Sequence, residues 1–97
     1  MKFFAVTYEY NPNHPRLDEV RPEHREFIST LNNQEQILGS GPFTDSKGGA
    51  LIVLQLDEDT VLEDVITIMD GDPYWIEELV QKREIREWNP VINSFED

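Results

Sequence analysis

The chain has 97 residues, 20 acidic and 8 basic, for a formal charge of −12 at pH 7. That length supports one domain over residues 1–97 and no second core. So negative a chain lacks the clustered Lys and Arg that neutralise nucleic-acid phosphates or dock on anionic membranes. Cysteine is absent, which removes disulfides, thiol catalysis and thiolate metal sites together.

Lys2–Tyr10 is rich in aromatic and β-branched residues and reads as a strand, with Phe4, Val6, Tyr8 and Tyr10 on one face and Phe3, Ala5 and Thr7 on the other. Neither face is polar throughout, so both are expected to be covered. The same stretch begins apolar, but Glu9 and Asn11 interrupt it too early for a secretory signal, and no run is long enough to span a bilayer. A cytoplasmic location is the expectation. Asn11-Pro12-Asn13-His14-Pro15 then breaks the strand. A helix is expected from Arg21 to about Asn33–Glu35, with Pro22 at its first position and Glu23 at the positive end.

Ile37–Phe43 reads as a short strand running into a glycine-rich bend, and Asp45–Gly49 as a hairpin turn. Ala50–Leu56 is almost continuously apolar, as in a central strand buried on both faces. Asp59 or Thr60 is expected to cap a second helix with the stripe Val61, Leu62, Val65, Ile66 and Met69, ended by Gly71. Asp72 and Pro73 then open a further short helix. Gln81–Trp88 alternates charged and apolar residues, a strand with one wet face, and Lys82-Arg83-Glu84 and Arg86-Glu87 suit an exposed sheet edge. Asn89-Pro90 and the tail to Asp97 extend beyond it.

The order β-α-β-β-α-β predicts an α+β, ferredoxin-like fold: a four-stranded antiparallel sheet with both helices on one face. Phe3, Ala5, Trp88 and part of Ala50–Leu56 fall on the other face, and no chain remains to cover them. A homodimer joined sheet against sheet is the expected solution.

His24 carries the chemical interest. With Phe27, Ile28 and Leu31 it follows the i, i+3, i+4, i+7 spacing of one helix face, so its ring should turn towards the core from the first turn. Burial and the positive helix end both favour the uncharged ring, and a neutral imidazole beside a cavity is a candidate general base. The plainer reading is a core histidine with one satisfied hydrogen bond. Asp72 could accept the ring N–H and fix its tautomer, or serve solely as a helix N-cap before proline. Gly39 and Gly41 could bring backbone amides to an oxyanion, or make a tight bend. Ser40 suits a polar cavity wall but has no sequence context of a nucleophile. Arg21 could hold an anionic group or pair with Asp18 or Glu19 in solvent. Tyr8 and Tyr74 suit the lining of a small aromatic-ligand cavity, or the edge of a core. His14 looks like an exposed loop residue. No metal site is expected, and without a phosphate loop or dinucleotide fingerprint no cofactor is expected either.

Arg21-Pro22-Glu23-His24, Gly39-Ser40-Gly41-Pro42 and Asp72-Pro73-Tyr74, in this order and spacing, resemble the three marks of the YciI-like (YCII-related) family. The resemblance covers nearly the whole chain. It implies a dimeric α+β barrel of ferredoxin-like protomers and an active site assigned to a histidine–aspartate pair, matched by His24 and Asp72, with Ser40 lining the same cavity. One relative in that family is a dehydrochlorinase of a chlorinated, hydroxylated aromatic ring, and the fold is shared with muconolactone isomerases and cofactor-free monooxygenases. The chain departs from the family at Gln34-Glu35-Gln36, where a glycine is usual, and over Asn11–Leu17. The expected function is therefore proton transfer of lyase or isomerase type on a small cyclic or aromatic metabolite. The competing expectation is a non-catalytic metabolite-binding or interaction module on the same dimeric fold.

Overall fold

In a computed structural model of the chain, residues 1–94 are described; the end of the tail to Asp97 lies outside them. Strand β1 (Lys2–Glu9) alternates as its sequence does. Phe4, Val6 and Tyr8 are buried, whereas Phe3, Ala5 and Thr7 are half-buried. It pairs antiparallel with β3 (Ala50–Leu56) on one side and β4 (Lys82–Trp88) on the other, while β2 (Ile37–Pro42) pairs with the outer side of β3. The sheet order is therefore β2-β3-β1-β4. Helices α1 (Leu17–Asn33) and α2 (Leu62–Met69) and the short α3 (Pro73–Ile76) complete the chain order. Register places Phe4 opposite Leu54, Val6 opposite Ile52 and Ile85, and Tyr8 opposite Ala50. These side chains join Leu17, Val20 and Leu31 of α1 and Val65 and Met69 of α2 in the buried cluster. Among the described residues no helix is long and apolar enough to cross a membrane.

Three local expectations are corrected. Helix α1 begins at Leu17 rather than Arg21, and Pro22 lies inside it. Leu17 and Val20 are buried at 2% and 6% exposure, and burying that pair draws an extra turn into the helix despite the amide missing at Pro22. Neither Asp59 nor Thr60 caps α2. Val61 is the N-cap residue, its N–H is taken by the Asp64 carboxylate at 3.0 Å, and the Thr60 carbonyl accepts from Lys2 Nζ at 2.8 Å. Gly39-Ser40-Gly41-Pro42 is not a bend but part of β2, with a register shift between Ile37 and Gly39. Ser40 thereby pairs with Ile52 on the helix-covered face, and Gly39 and Gly41 fall on the other. Within the single chain the helices cover one face of β1 and β3. Leu51 is 37% and Trp88 39% exposed, beside the half-buried Phe3, Ala5 and Val53. The chain has spent its helices on the opposite face.

Two backbone features set the joints. Gly49 has φ +88°, and a Cβ there would stand 2.3 Å from the Tyr8 carbonyl oxygen, so the hairpin closes against β1 only with glycine. At the end of α1, Glu35 occupies the left-handed position with φ 61°. Its N–H bonds to the Asn32 carbonyl and that of Gln36 to the Leu31 carbonyl, the double closure that usually carries glycine. The departure at Gln34-Glu35-Gln36 thus keeps the helix exit and accepts backbone strain. Glu35→Gly should raise stability by up to about 1 kcal/mol in urea denaturation; a loss of stability would show that the position is not strained.

Candidate active site

Pro73 at the first turn of α3 fixes the chain so that Asp72, extended at φ −69° and ψ 123°, folds its carboxylate back onto the Tyr74 N–H at 3.0 Å. The N-cap reading of Asp72 holds. The same carboxylate does more. It accepts the Tyr8 hydroxyl at 2.7 Å on Oδ2, and His24 Nδ1 lies 2.8 Å from Oδ1 and 3.0 Å from Oδ2. Asp72 is 0% exposed, so its charge is viable there only because donors surround it. An ionised carboxylate offers no proton, so Nδ1 must carry the hydrogen of this contact. The neutral ring then keeps its lone pair on Nε2, which has no hydrogen-bond partner among the described residues. Burial first, then the charge of Asp72 and the bond to it, push the Tyr8 phenol well above its ordinary value, so it remains a donor.

His24 turns inward as its stripe predicts, with its side chain 15% exposed. It does not lie in the first turn. With α1 starting at Leu17, it sits about two turns in, away from the positive end invoked from sequence. The Tyr74 ring stacks on it, centroids 4.0 Å apart and planes 3° from parallel, and Tyr10 meets Tyr74 edge-on at 5.8 Å. Gly71, just before Asp72, lacks the Cβ that would crowd Phe27 Cε1 at 3.2 Å, and Phe27 is one turn after His24. Helix α1 is thus seated directly on the joint that carries Asp72. From the sheet side, Arg83 grips the same joint. Its guanidinium lies 3.7 Å over the Trp75 ring, and Nη2 is 2.9 Å from Asp70. Arg83 is therefore not the exposed edge charge expected from sequence. Period 2 puts it with Ile85 on the covered face, opposite Tyr8, and its side chain is 10% exposed.

A cavity of about 230 Å³ opens beside His24. Arg21, Arg25 and Ile28 flank it from α1, and Ser40, Gly41, Pro42 and Ala50 from the sheet. Tyr10 and Tyr74 supply aromatic walls. Of the residues singled out from sequence, His24, Ser40, Gly41, Arg21 and Tyr74 meet at this cavity. Asp72 lies beneath it through His24. Tyr8 does not line it; its 1% exposed side chain supports Asp72 from the core. Gly39 does not line it either. Arg21 pairs with Asp18, as its solvent reading anticipates, while standing beside the Tyr74 hydroxyl, where it opposes the rise that burial causes in that phenol. His14 is half-buried rather than exposed, its Nδ1 accepting the Arg16 N–H at 3.1 Å. Tyr10 and Arg25 were not legible as cavity residues. Tyr10 lies one residue past the end of β1, and Arg25 is simply the neighbour of His24 on the helix flank. Among the described residues no group of three or more His, Asp or Glu side chains could hold a metal ion.

The chemistry available is that of an oriented imidazole with one free nitrogen, facing a small half-aromatic cavity with a hydroxyl across it. Tyr8→Phe should lower stability at pH 7 by about 1–3 kcal/mol, because Oδ2 of a buried carboxylate loses the shorter of its two contacts. Below pH 10 Tyr8 is protonated whether folded or not; above it the unfolded chain releases the proton first, since folding raises the phenol from 10.0. Folding stability should then fall with rising pH, less steeply in Tyr8→Phe. Denaturant midpoints at pH 7 and pH 11 measure both effects, and equal stability of the two proteins at pH 7 would contradict the assigned contact.

In fold, the chain is similar to the 5-chloro-2-hydroxyhydroquinone dehydrochlorinase TftG from Burkholderia phenoliruptrix in complex with 2,5-dihydroxybenzoquinone. The TM-score is 0.66 at 16% identity, over 90% of this chain and 93% of that one. It is also similar to an antibiotic biosynthesis monooxygenase, with TM-score 0.58 and 14% identity over 94% and 99% of the two chains. The shared architecture is an α+β, ferredoxin-like fold with a four-stranded antiparallel sheet. No curated protein matches the sequence. Residues 1–89 match the YCII-related domain, and the chain belongs to that family.

Proposed function

We propose that the protein is a small-molecule enzyme of lyase or isomerase type, in which His24 and Asp72 act together to move a proton on a small cyclic or aromatic metabolite. One observation carries this reading: Nδ1 of His24 is held against a fully buried carboxylate while Nε2 is left without a partner beside a cavity. In the proposed reaction Nε2 takes a proton from a carbon or hydroxyl of the substrate, and Asp72 stabilises the imidazolium that forms. The negative charge left on the substrate falls to Ser40 and the Gly41 backbone. The proton then returns to another substrate atom, giving isomerisation, or leaves with a departing group, giving elimination. Stacking on Tyr74 keeps the ring plane fixed throughout. The crystallised fold relative holds a hydroxylated quinone, which is in keeping with a ring-shaped substrate.

The working unit is proposed to be a homodimer joined through the uncovered sheet face, in which Phe3, Ala5, Leu51, Val53 and Trp88 lose their contact with water. The dimeric barrel implied by the family resemblance favours the same arrangement.

Screening activated aromatic and lactone compounds for turnover should identify a substrate class. With it, His24→Gln should reduce kcat by about 10²–10⁴ while leaving the circular dichroism spectrum unchanged, and Asp72→Asn should reduce it by misplacing the ring tautomer. Full activity in His24→Gln would end the proposal and favour a binding module.

A further inference from the structure

The cavity has a charge bias opposite to that of the chain. Acidic residues outnumber basic ones 20 to 8 in the sequence, yet the residues lining this cavity include two arginines and no acid. Asp72, the carboxylate behind His24, is completely buried and saturated by Tyr8, the Tyr74 N–H and His24. It does not present charge to the cavity. Arg21 is one turn before His24 on α1, and Arg25 follows it directly. Both line the cavity together with Tyr74. Arg21 is shared with Asp18 in an exposed pair, which is weak and readily exchanged. Arg25 is exposed and has no ion pair or hydrogen-bond partner among the described residues.

Shape and lining complete the description. A cavity of about 150 Å³ suffices to hold benzene, so 230 Å³ admits one ring with a carboxyl-sized substituent. Tyr10, Tyr74, Ile28, Pro42 and Ala50 offer flat or apolar surface for the ring. We propose that the ligand is a small monocyclic carboxylate, its anionic group taken by Arg25 with Arg21 in support and its ring turned towards His24 and Ser40. This rests on the cavity being a small-molecule site and adds the substrate class. A net charge of −12 repels such an anion at long range, so its retention depends on the close guanidinium contacts, of the kind that favours arginine over lysine.

The test is a titration of the isotope-labelled protein by NMR with two probes of similar size, benzoate and benzyl alcohol, at low salt. Benzoate should shift the amides around Arg21–Arg25 and Ser40–Gly41 and bind at least about tenfold more tightly than benzyl alcohol. Arg25→Gln should remove about a tenfold preference and leave benzyl alcohol binding as it was, with Arg25→Lys recovering part of it. Equal binding of the two probes, unchanged benzoate affinity in Arg25→Gln, or no benzoate shifts at this cavity would each overturn the proposal. If the preference fails while His24→Gln still abolishes turnover of a screened substrate, the substrate class is wrong and the proton-transfer reading stands. If the preference holds while His24→Gln stays active, the reverse is true.

Discussion

The site depends on one buried carboxylate. Removing an ionised Asp from water costs several kcal/mol even after relaxation, on the order of a small domain's whole stability. The fold offsets that cost with donors from three separate places in the chain: the phenol of β1, the imidazole of α1 and the backbone amide that opens α3. Each contact is charge-assisted and stronger than a neutral pair. Withdrawing any one of the three donors leaves the buried charge less fully compensated. Asp72 therefore ties the sheet to both neighbouring helices and, by the same contacts, fixes which nitrogen of His24 is free. Stability and site geometry are consequences of the same hydrogen bonds.

The surroundings serve that arrangement. Phe27 packing on the bare backbone of Gly71 fixes the distance between α1 and the Asp72 joint. Arg83 holds the two residues that bracket the joint, Asp70 through charge and Trp75 through its ring face. The sheet supplies Ser40 from β2 because the run Gly39–Pro42 is extended, which turns the serine to the helix side and the glycines away from it. A one-sided sheet also means that the opposite face keeps half-exposed apolar residues.

Much of this was legible from patterns with a physical period. The strand alternation of β1 and the stripe from His24 to Leu31 gave the correct faces, and the Asp-Pro pair gave the correct cap. What escaped was set by contacts between distant parts of the chain. Pro22 looks like a helix start until Leu17 and Val20 are seen to be buried ahead of it. Gly39-Ser40-Gly41-Pro42 looks like a bend until β3 pairs with it. Arg83 reads as an edge charge because nothing local reveals Trp75 and Asp70 waiting above that face. Tyr8 was expected at a ligand and instead supports Asp72, a contact spanning 64 positions. Asp72 caps α3 and holds the imidazole with the same carboxylate, and Arg21 pairs with Asp18 at the cavity wall.

The central claim is that Asp72 fixes the proton of the neutral His24 ring on Nδ1 and leaves Nε2 open. Two-bond nitrogen–proton correlation spectra of the histidine rings, recorded where the rings are uncharged, report this directly. His24 should show a protonated Nδ1 and a bare Nε2, with that preference lost in Asp72→Asn. A ring protonated on Nε2 in the unaltered protein would contradict it.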